Sequence, residues 1–239
     1  DGSFTLANVA KVSDYTAVFV RSIWLSLLAT AICLVIAYPL GFIVSRCNAN
    51  NQRTLVMLVM LPMCMSFLLR TLVWVGLLQD TGIINTLLGK LGIGPIRMIR
   101  TSGAVVLGMV YNYLSFMIMP IYTVIEKIDR SLLEAAADLG ASRRKSFLRV
   151  TLPYSLPGVL EGVTMVFVPA VTTFVISQLM GGGKVPLIGD IIQNQFGKSS
   201  DWHFGATLSL LVMVVVLAFM GALGRIDKED ETQKEVRIL

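Results

Sequence analysis

The chain has 239 residues, 55% of them hydrophobic and 15% charged, with a formal net charge of +5 and a mean hydropathy of +0.74. A water-soluble domain carries roughly 25% charged residues, so this composition excludes an ordinary soluble fold and points to a lipid bilayer as solvent. No long basic run or basic–aromatic stripe supports nucleic-acid binding.

The chain begins at Asp1 without a signal-peptide pattern, which suggests that an N-terminal piece has been removed or is not included. A helix needs about 20 mostly apolar residues to cross the hydrocarbon core. Five segments qualify: 19–45, with no charge after Arg21; 54–79, interrupted by Arg70; 101–125, uncharged; 150–180, interrupted by Glu161; and 204–224. Between the second and third, residues 83–99 are apolar with Gly and Pro punctuation and predict a short surface helix. Between the fourth and fifth, a glycine hinge precedes an amphipathic stretch at 187–196, which reads as a short surface helix or a re-entrant piece. Residues 225–239 form a polar tail. No internal repeat is visible, which disfavours an inverted-repeat secondary transporter.

Lysines and arginines orient these spans. Arg46, Arg53, Lys127, Arg130, Arg143, Arg144, Lys145, Arg149, Arg225, Lys228, Lys234 and Arg237 fall on one side. Only Lys11, Lys90, Arg97, Arg100, Lys184 and Lys198 fall on the other. The bias places the loop after the third span and the C-terminus in the cytoplasm. It also places residues 1–18 outside, so a six-helix parent whose first helix is missing here is expected.

The cytoplasmic loop at 130–149 stands out. Residues 134–153 read EAAADLGASRRKSFLRVTLP. Glu134, Ala135 and Ala136 favour helix. Gly140 breaks the run and permits a bend. Arg143, Arg144 and Lys145 follow, Phe147 and Leu148 supply an apolar face, and Leu152-Pro153 opens the next span. The result is a helix–turn–helix on the membrane surface, either a solvated connector or a knob that fits a groove on a cytosolic partner.

The spacing of Glu134-Ala135-Ala136, Gly140, Val150 and Leu152-Pro153 resembles the signature loop of ABC importer permeases, with valine at 150 where isoleucine is more usual. Residues 66–85, 121–142, 177–196 and 201–207 resemble the polyamine/opine branch, and most of all its spermidine/putrescine permeases. The resemblance implies a type I ABC importer transmembrane domain, all-α, multi-pass in a bacterial inner or plasma membrane. It also implies four kinds of partner or ligand: a second, related permease; two cytoplasmic ATPases; an extracytoplasmic polyamine-binding protein; and ATP with Mg held by the ATPases and not by this chain. Glu134, Ala135, Ala136, Gly140, Arg143 and Phe147 would then couple to the ATPase. The same superfamily also carries opines, ferric ion and oxyanions, and a non-transporting scaffold would keep the loop too.

No enzymatic motif competes. A P-loop requires GxxxxGK[ST], and before Gly197-Lys198-Ser199 the first glycine position holds Ile192. His203 reads as a surface residue, and Cys33, Cys47 and Cys64, without CxxC spacing, read as buried free thiols. A polyamine prefers carboxylates and aromatic faces. Glu161, flanked by Gly158 and Gly162 in a GxxxG that permits close helix approach, lies about 12 Å along its span from Pro153 and serves either the passage or a neighbouring helix. Trp74, Tyr111 and Tyr113 are the polar-tipped aromatics best placed to face the passage. The last two, two residues apart, do not share a helix face. Asp190, in the outer loop, is placed to meet the cargo or the binding protein, Asn112 requires a partner within the membrane, and Arg70 reads as a snorkelling or structural cation.

Overall fold

The computed structural model describes residues 12–92, 94–197, 199 and 201–238, without side-chain detail at 12, 13, 130, 137 and 226–238. Its regular structure is helical. A 3₁₀ turn (Val12–Tyr15) leads into α1 (Thr16–Arg46), followed by α2 (Ala49–Met60), a second 3₁₀ turn (Leu61–Cys64), α3 (Phe67–Leu78) and α4 (Ile83–Lys90). Next come α5 (Ser102–Glu126), α6 (Arg130–Asp138), α7 (Arg143–Ser146), a π turn (Phe147–Thr151) and α8 (Leu152–Thr172). The chain closes with α9 (Val175–Gly181), α10 (Ile188–Gly197) and α11 (Trp202–Ile238). Five stretches are long and apolar enough to cross a membrane: Thr16–Arg46, Phe67–Lys90, Ser102–Glu126, Arg143–Thr172 and Trp202–Arg225.

Two expected boundaries are corrected. The span read at 54–79 is not one helix. Pro62 has no N–H to donate, the backbone tightens to 3₁₀ over Leu61–Cys64, and α3 begins afresh at Phe67. The carbonyl of Val59, at this break, accepts a bond from Ser115 Oγ of α5 at 2.8 Å. Neither 12-residue piece, about 18 Å long, spans a 30 Å core by itself. The span read at 150–180 starts earlier and ends sooner. α7 runs through the π turn into α8 without interruption, and the helix stops at Thr172, restarting at Val175. Leu152 N–H pairs with Phe147 O, one residue further back than in an α-helix, just ahead of the donorless Pro153. Beyond the fifth span, residues 225–238 continue α11 as helix.

The chain divides into two compact units. The first takes residues up to Ala31 with Met65–Asn112 and Phe167–Ala218; the second takes Ile32–Cys64, Tyr113–Val166 and the chain from Phe219. On α5 every fourth residue is buried: Val105, Met109, Tyr113, Met117, Ile121 and Ile125. On α1 the buried stripe is small, with Ser22, Ser26, Ala29, Cys33 and Ala37 at 0% exposure, while Trp24, Leu28, Val35 and Ile43 face outward. Small residues inside and bulky ones outside are the pattern of a helix packing in lipid.

In the second unit, α8 meets α5 through Gly158 and Gly162. A Cβ on Gly158 would lie 2.8 Å from the Pro120 carbonyl oxygen, and one on Gly162 would lie 2.8 Å from Met117 Sδ. Gln52 of α2 ties to the same helix, donating to Tyr122 Oη at 2.7 Å and Glu126 Oε1 at 3.1 Å. In the first unit, Asn85 stitches the surface loop: it donates to the carbonyls of Gln79 (3.2 Å) and Ile96 (3.0 Å) and accepts from Ile96 N–H at 2.9 Å. The short helices read at 83–99 and 187–196 are present as α4 and α10. None of the three cysteines is in a disulfide, and only Cys33 is buried; Cys64 is exposed and Cys47 half-exposed.

Candidate functional site

The loop between α5 and α8 is an elbow with a defined bend. α6 ends in a Schellman closure, with Leu139 N–H bonded to Ala135 O at 3.1 Å and Ala141 N–H to Ala136 O at 3.0 Å. That closure needs a left-handed residue, and Gly140 sits at φ +76°. Ser142 then caps α7, its Oγ accepting from Lys145 N–H at 3.4 Å. The corner is bare: Leu139 is 88% exposed, and Glu134, Ala135, Asp138, Arg143, Arg144 and Lys145 are exposed beside it. Ala136 is half-buried. An apolar tip ringed by charge has the make-up of a docking knob.

Phe147 takes a different place from the other loop residues. It is half-buried and meets two rings of α1 edge-to-face, Tyr38 at 5.9 Å and Phe42 at 5.4 Å between centroids. Arg46 lies over the Phe42 ring at 5.3 Å, and Tyr38 Oη shares a 2.9 Å hydrogen bond with Ser155 Oγ of α8. A cavity of about 700 Å³ opens here between Phe42, Arg46, Leu133, Ala141 and Phe147. Phe147 therefore packs the elbow against α1. The sequence marked Phe147 as apolar but carried no sign of its partners, which lie about a hundred residues earlier.

The membrane candidates separate by exposure. In the second unit Glu161 is exposed on α8, beside the face that Gly158 and Gly162 bury, and makes no hydrogen bond or ion pair among the described residues. Tyr113 is 7% exposed and belongs to the buried stripe of α5. In the first unit Tyr111 is exposed and meets Trp74 edge-to-face at 5.3 Å. Asn112 donates to Gly108 O at 2.9 Å and to Thr71 Oγ1 at 3.4 Å. Arg70 is buried at 7% exposure with its Nε unpartnered, so it does not snorkel. His203 is exposed.

Asp190 departs most from its expected setting. It lies on α10, as the amphipathic stretch implies, but is buried there at 6% exposure instead of facing outward. Its Oδ2 accepts from Ser177 Oγ at 2.5 Å and from Leu187 N–H at 2.8 Å, closing the first turn of α10. Ile188 N–H is taken by Ser22 Oγ of α1 at 2.8 Å. Oδ1 has no partner. Burial pushes the carboxyl above its ordinary value, against the lowering effect of its hydrogen bonds. A serine at 22 in an apolar span was the only sequence signal for this network.

No group of three or more His, Cys, Asp or Glu side chains suited to a metal occurs among the described residues. The family described as binding-protein-dependent transport system inner membrane component matches residues 37–226. The spermidine/putrescine transport system permease protein PotB of Haemophilus influenzae is 40% identical over 232 residues, covering 92% of this chain and 81% of that protein. Among solved structures, a bacterial ABC transporter that imports the acidic polysaccharide alginate aligns with a TM-score of 0.80 at 14% identity, over 96% of this chain and 85% of that one. The inward-facing MetNI methionine ABC transporter aligns at 0.67 and 18% identity, over 90% and 95%. At such identities the structures speak for the fold alone, whereas the family match spans most of the chain. This chain belongs to the family of binding-protein-dependent transport system inner membrane components and is a multi-pass permease subunit of an ABC importer.

Proposed function

We propose that the chain carries polyamines, spermidine or putrescine, across the membrane as one half of an ATP-driven pore. The observation that supports this cargo is the 40% identity to a spermidine/putrescine permease over nine-tenths of the chain. The other half is a second, related permease. ATP and Mg belong to two cytoplasmic ATPases that grip the elbow, and an extracytoplasmic binding protein delivers the cargo. The charge bias of the loops puts the elbow and the C-terminus on the cytoplasmic side.

The mechanism follows from how the elbow is built. Closure of the ATPases displaces the Leu139 corner. Gly140 keeps the bend, and the Phe147 rings pass the displacement to α1 while the unbroken run from α7 into α8 passes it to the fourth span. The equilibrium between inward- and outward-open states shifts by as much as the ATPases favour one elbow position over the other. Glu161 is a bare carboxylate within the membrane, an arrangement too costly for lipid contact. It faces the aqueous passage and attracts a polycation, and the Trp74–Tyr111 pair offers the cargo a π face. The buried cation Arg70 gives an oxyanion no exposed guanidinium, which counts against that cargo.

The test is uptake of labelled spermidine by proteoliposomes holding the complete transporter. Gly140→Asp abolishes uptake while the complex stays in the membrane, and Glu161→Ala lowers uptake with ATP hydrolysis retained. Uptake by both variants at the wild-type rate, or wild-type uptake of an oxyanion in preference to spermidine, refutes the reading.

A further inference from the structure

A polar pocket of about 300 Å³ lies in the first unit, lined by Gln79, Asp80, Thr81, Arg97, Arg100 and Lys184. Its walls come from three connections: the turn after α3, the stretch before α5 and the turn after α9. Three cations face a single carboxylate, and no ion pair among the described residues engages any of the four.

The backbone holds these cations in place. Arg100 sits at φ +63°, the one non-glycine residue with positive φ among those described, a conformation that a bulky residue occupies only when its surroundings enforce it. Its N–H donates to Met180 O at 2.8 Å. Its side chain runs along Gly182, where a Cβ would lie 2.8 Å from Arg100 Cγ. Asn85, buried at 5% exposure, binds the carbonyls of Gln79 and Ile96 and so ties the turn carrying Asp80 to the segment carrying Arg97. Strain and a buried amide are thus committed to convergence of like charges, which repel unless an anion joins them.

We propose that this pocket receives an acidic side chain of the extracytoplasmic binding protein and sets that protein's register over the permease. The proposal rests on the permease reading above, including its orientation, which puts the pocket on the extracytoplasmic side. Free cargo, a polycation, is repelled by the pocket. A protein that holds a polycation needs carboxylates in and around its cleft, so the rim it presents is acidic. Arginine takes a carboxylate through paired N–H bonds, and Arg97 and Arg100 offer two such forks beside Lys184.

The complete transporter in nanodiscs of zwitterionic phosphatidylcholine, titrated with loaded binding protein, tests this through stimulated ATP hydrolysis. Arg97→Glu and Lys184→Glu leave the strained Arg100 in place. Each raises the half-saturating concentration of binding protein by about tenfold, keeps the rate at saturation, and blunts the salt dependence of half-saturation. Arg97→Gln and Lys184→Gln shift it less, in the same direction. Lys90→Glu, an exposed cation outside the pocket, leaves it unchanged. An unaltered half-saturating concentration in all four pocket variants overturns the proposal and leaves the permease reading intact. So does a defect that appears only when anionic lipid is added, which assigns the pocket to a lipid headgroup. A wild-type transporter that ignores binding protein overturns both.

Discussion

Replacing Gly158 with alanine tests how closely α8 is seated on α5. The added Cβ would lie 2.8 Å from the Pro120 carbonyl oxygen, 2.9 Å from Val124 Cγ2 and 3.0 Å from Val124 Cβ. A backbone carbonyl and a branch point cannot swing aside, so the helices must part by about half an ångström to restore ordinary carbon–oxygen contact. Overpacking of this kind costs about 1–3 kcal/mol, and alanine returns about 0.5–1 kcal/mol of helix propensity. The net loss of about 1–2 kcal/mol corresponds to a fall in Tm of about 2–8 °C for a chain of this size. Two companions supply the scale. At Gly162 the nearest atom is Met117 Sδ, in a flexible thioether, with the Met117 carbonyl oxygen at 3.2 Å, so Gly162→Ala is close to neutral. At Gly76 nothing lies within 4 Å, so Gly76→Ala gains the propensity term. Thermal unfolding of the purified permease in detergent reads all three. A Gly158→Ala variant as stable as Gly76→Ala refutes the close approach and, with it, the seating of the span that carries Glu161.

Two further perturbations address the site. Phe147→Ala removes both edge-to-face contacts with α1, each worth about 0.5–1.5 kcal/mol, and loosens the elbow without altering its exposed tip. More ATP is then hydrolysed per polyamine imported, and an unchanged ratio argues against Phe147 as a transmitter. Asp190→Asn removes a carboxyl that burial holds above its ordinary value of 3.8. With a raised folded pKa the native state binds the proton more tightly. The contribution to stability is therefore fully present below the ordinary value and is lost as pH rises through the raised one. Wild-type stability falls relative to Asp190→Asn across that interval, as read by the difference between their unfolding midpoints at each pH. A wild-type midpoint that stays level with, or rises against, that of Asp190→Asn as pH increases contradicts the burial of Asp190.

The features legible in the sequence were those written in local pattern. The uncharged stretch at 101–125 left no reading but a membrane span. Gly140 announced its bend, because only glycine suits the left-handed turn after α6. The GxxxG at 158–162 announced a close helix contact. Misplaced boundaries came from competing local signals. Pro62 lay inside an otherwise convincing hydrophobic run, and hydropathy outweighed the donorless residue that splits the helix. At 150–153 the Leu-Pro pair looked like a helix start, whereas a π turn carries the helix past it. Phe147 with Tyr38 and Phe42, and Ser22 with the Ile188 N–H, join residues more than a hundred positions apart, and period and composition hold no information about such pairs. The basic pocket was similarly hidden, since Arg97, Arg100 and Lys184 come together only through the Asn85 stitch and the strained backbone at Arg100.

Contact between the elbow and a nucleotide-hydrolysing subunit is the step on which coupling depends, and site-directed cross-linking from Leu139 detects it. In an assembled transporter whose permease has Cys47 and Cys64 replaced by serine, Leu139→Cys is predicted to form a covalent product with the ATPase subunit, in a yield that changes when ATP is added. Lys184→Cys, at the basic pocket, is predicted to form none. A product from Lys184→Cys and none from Leu139→Cys would contradict both the role and the orientation assigned to the elbow.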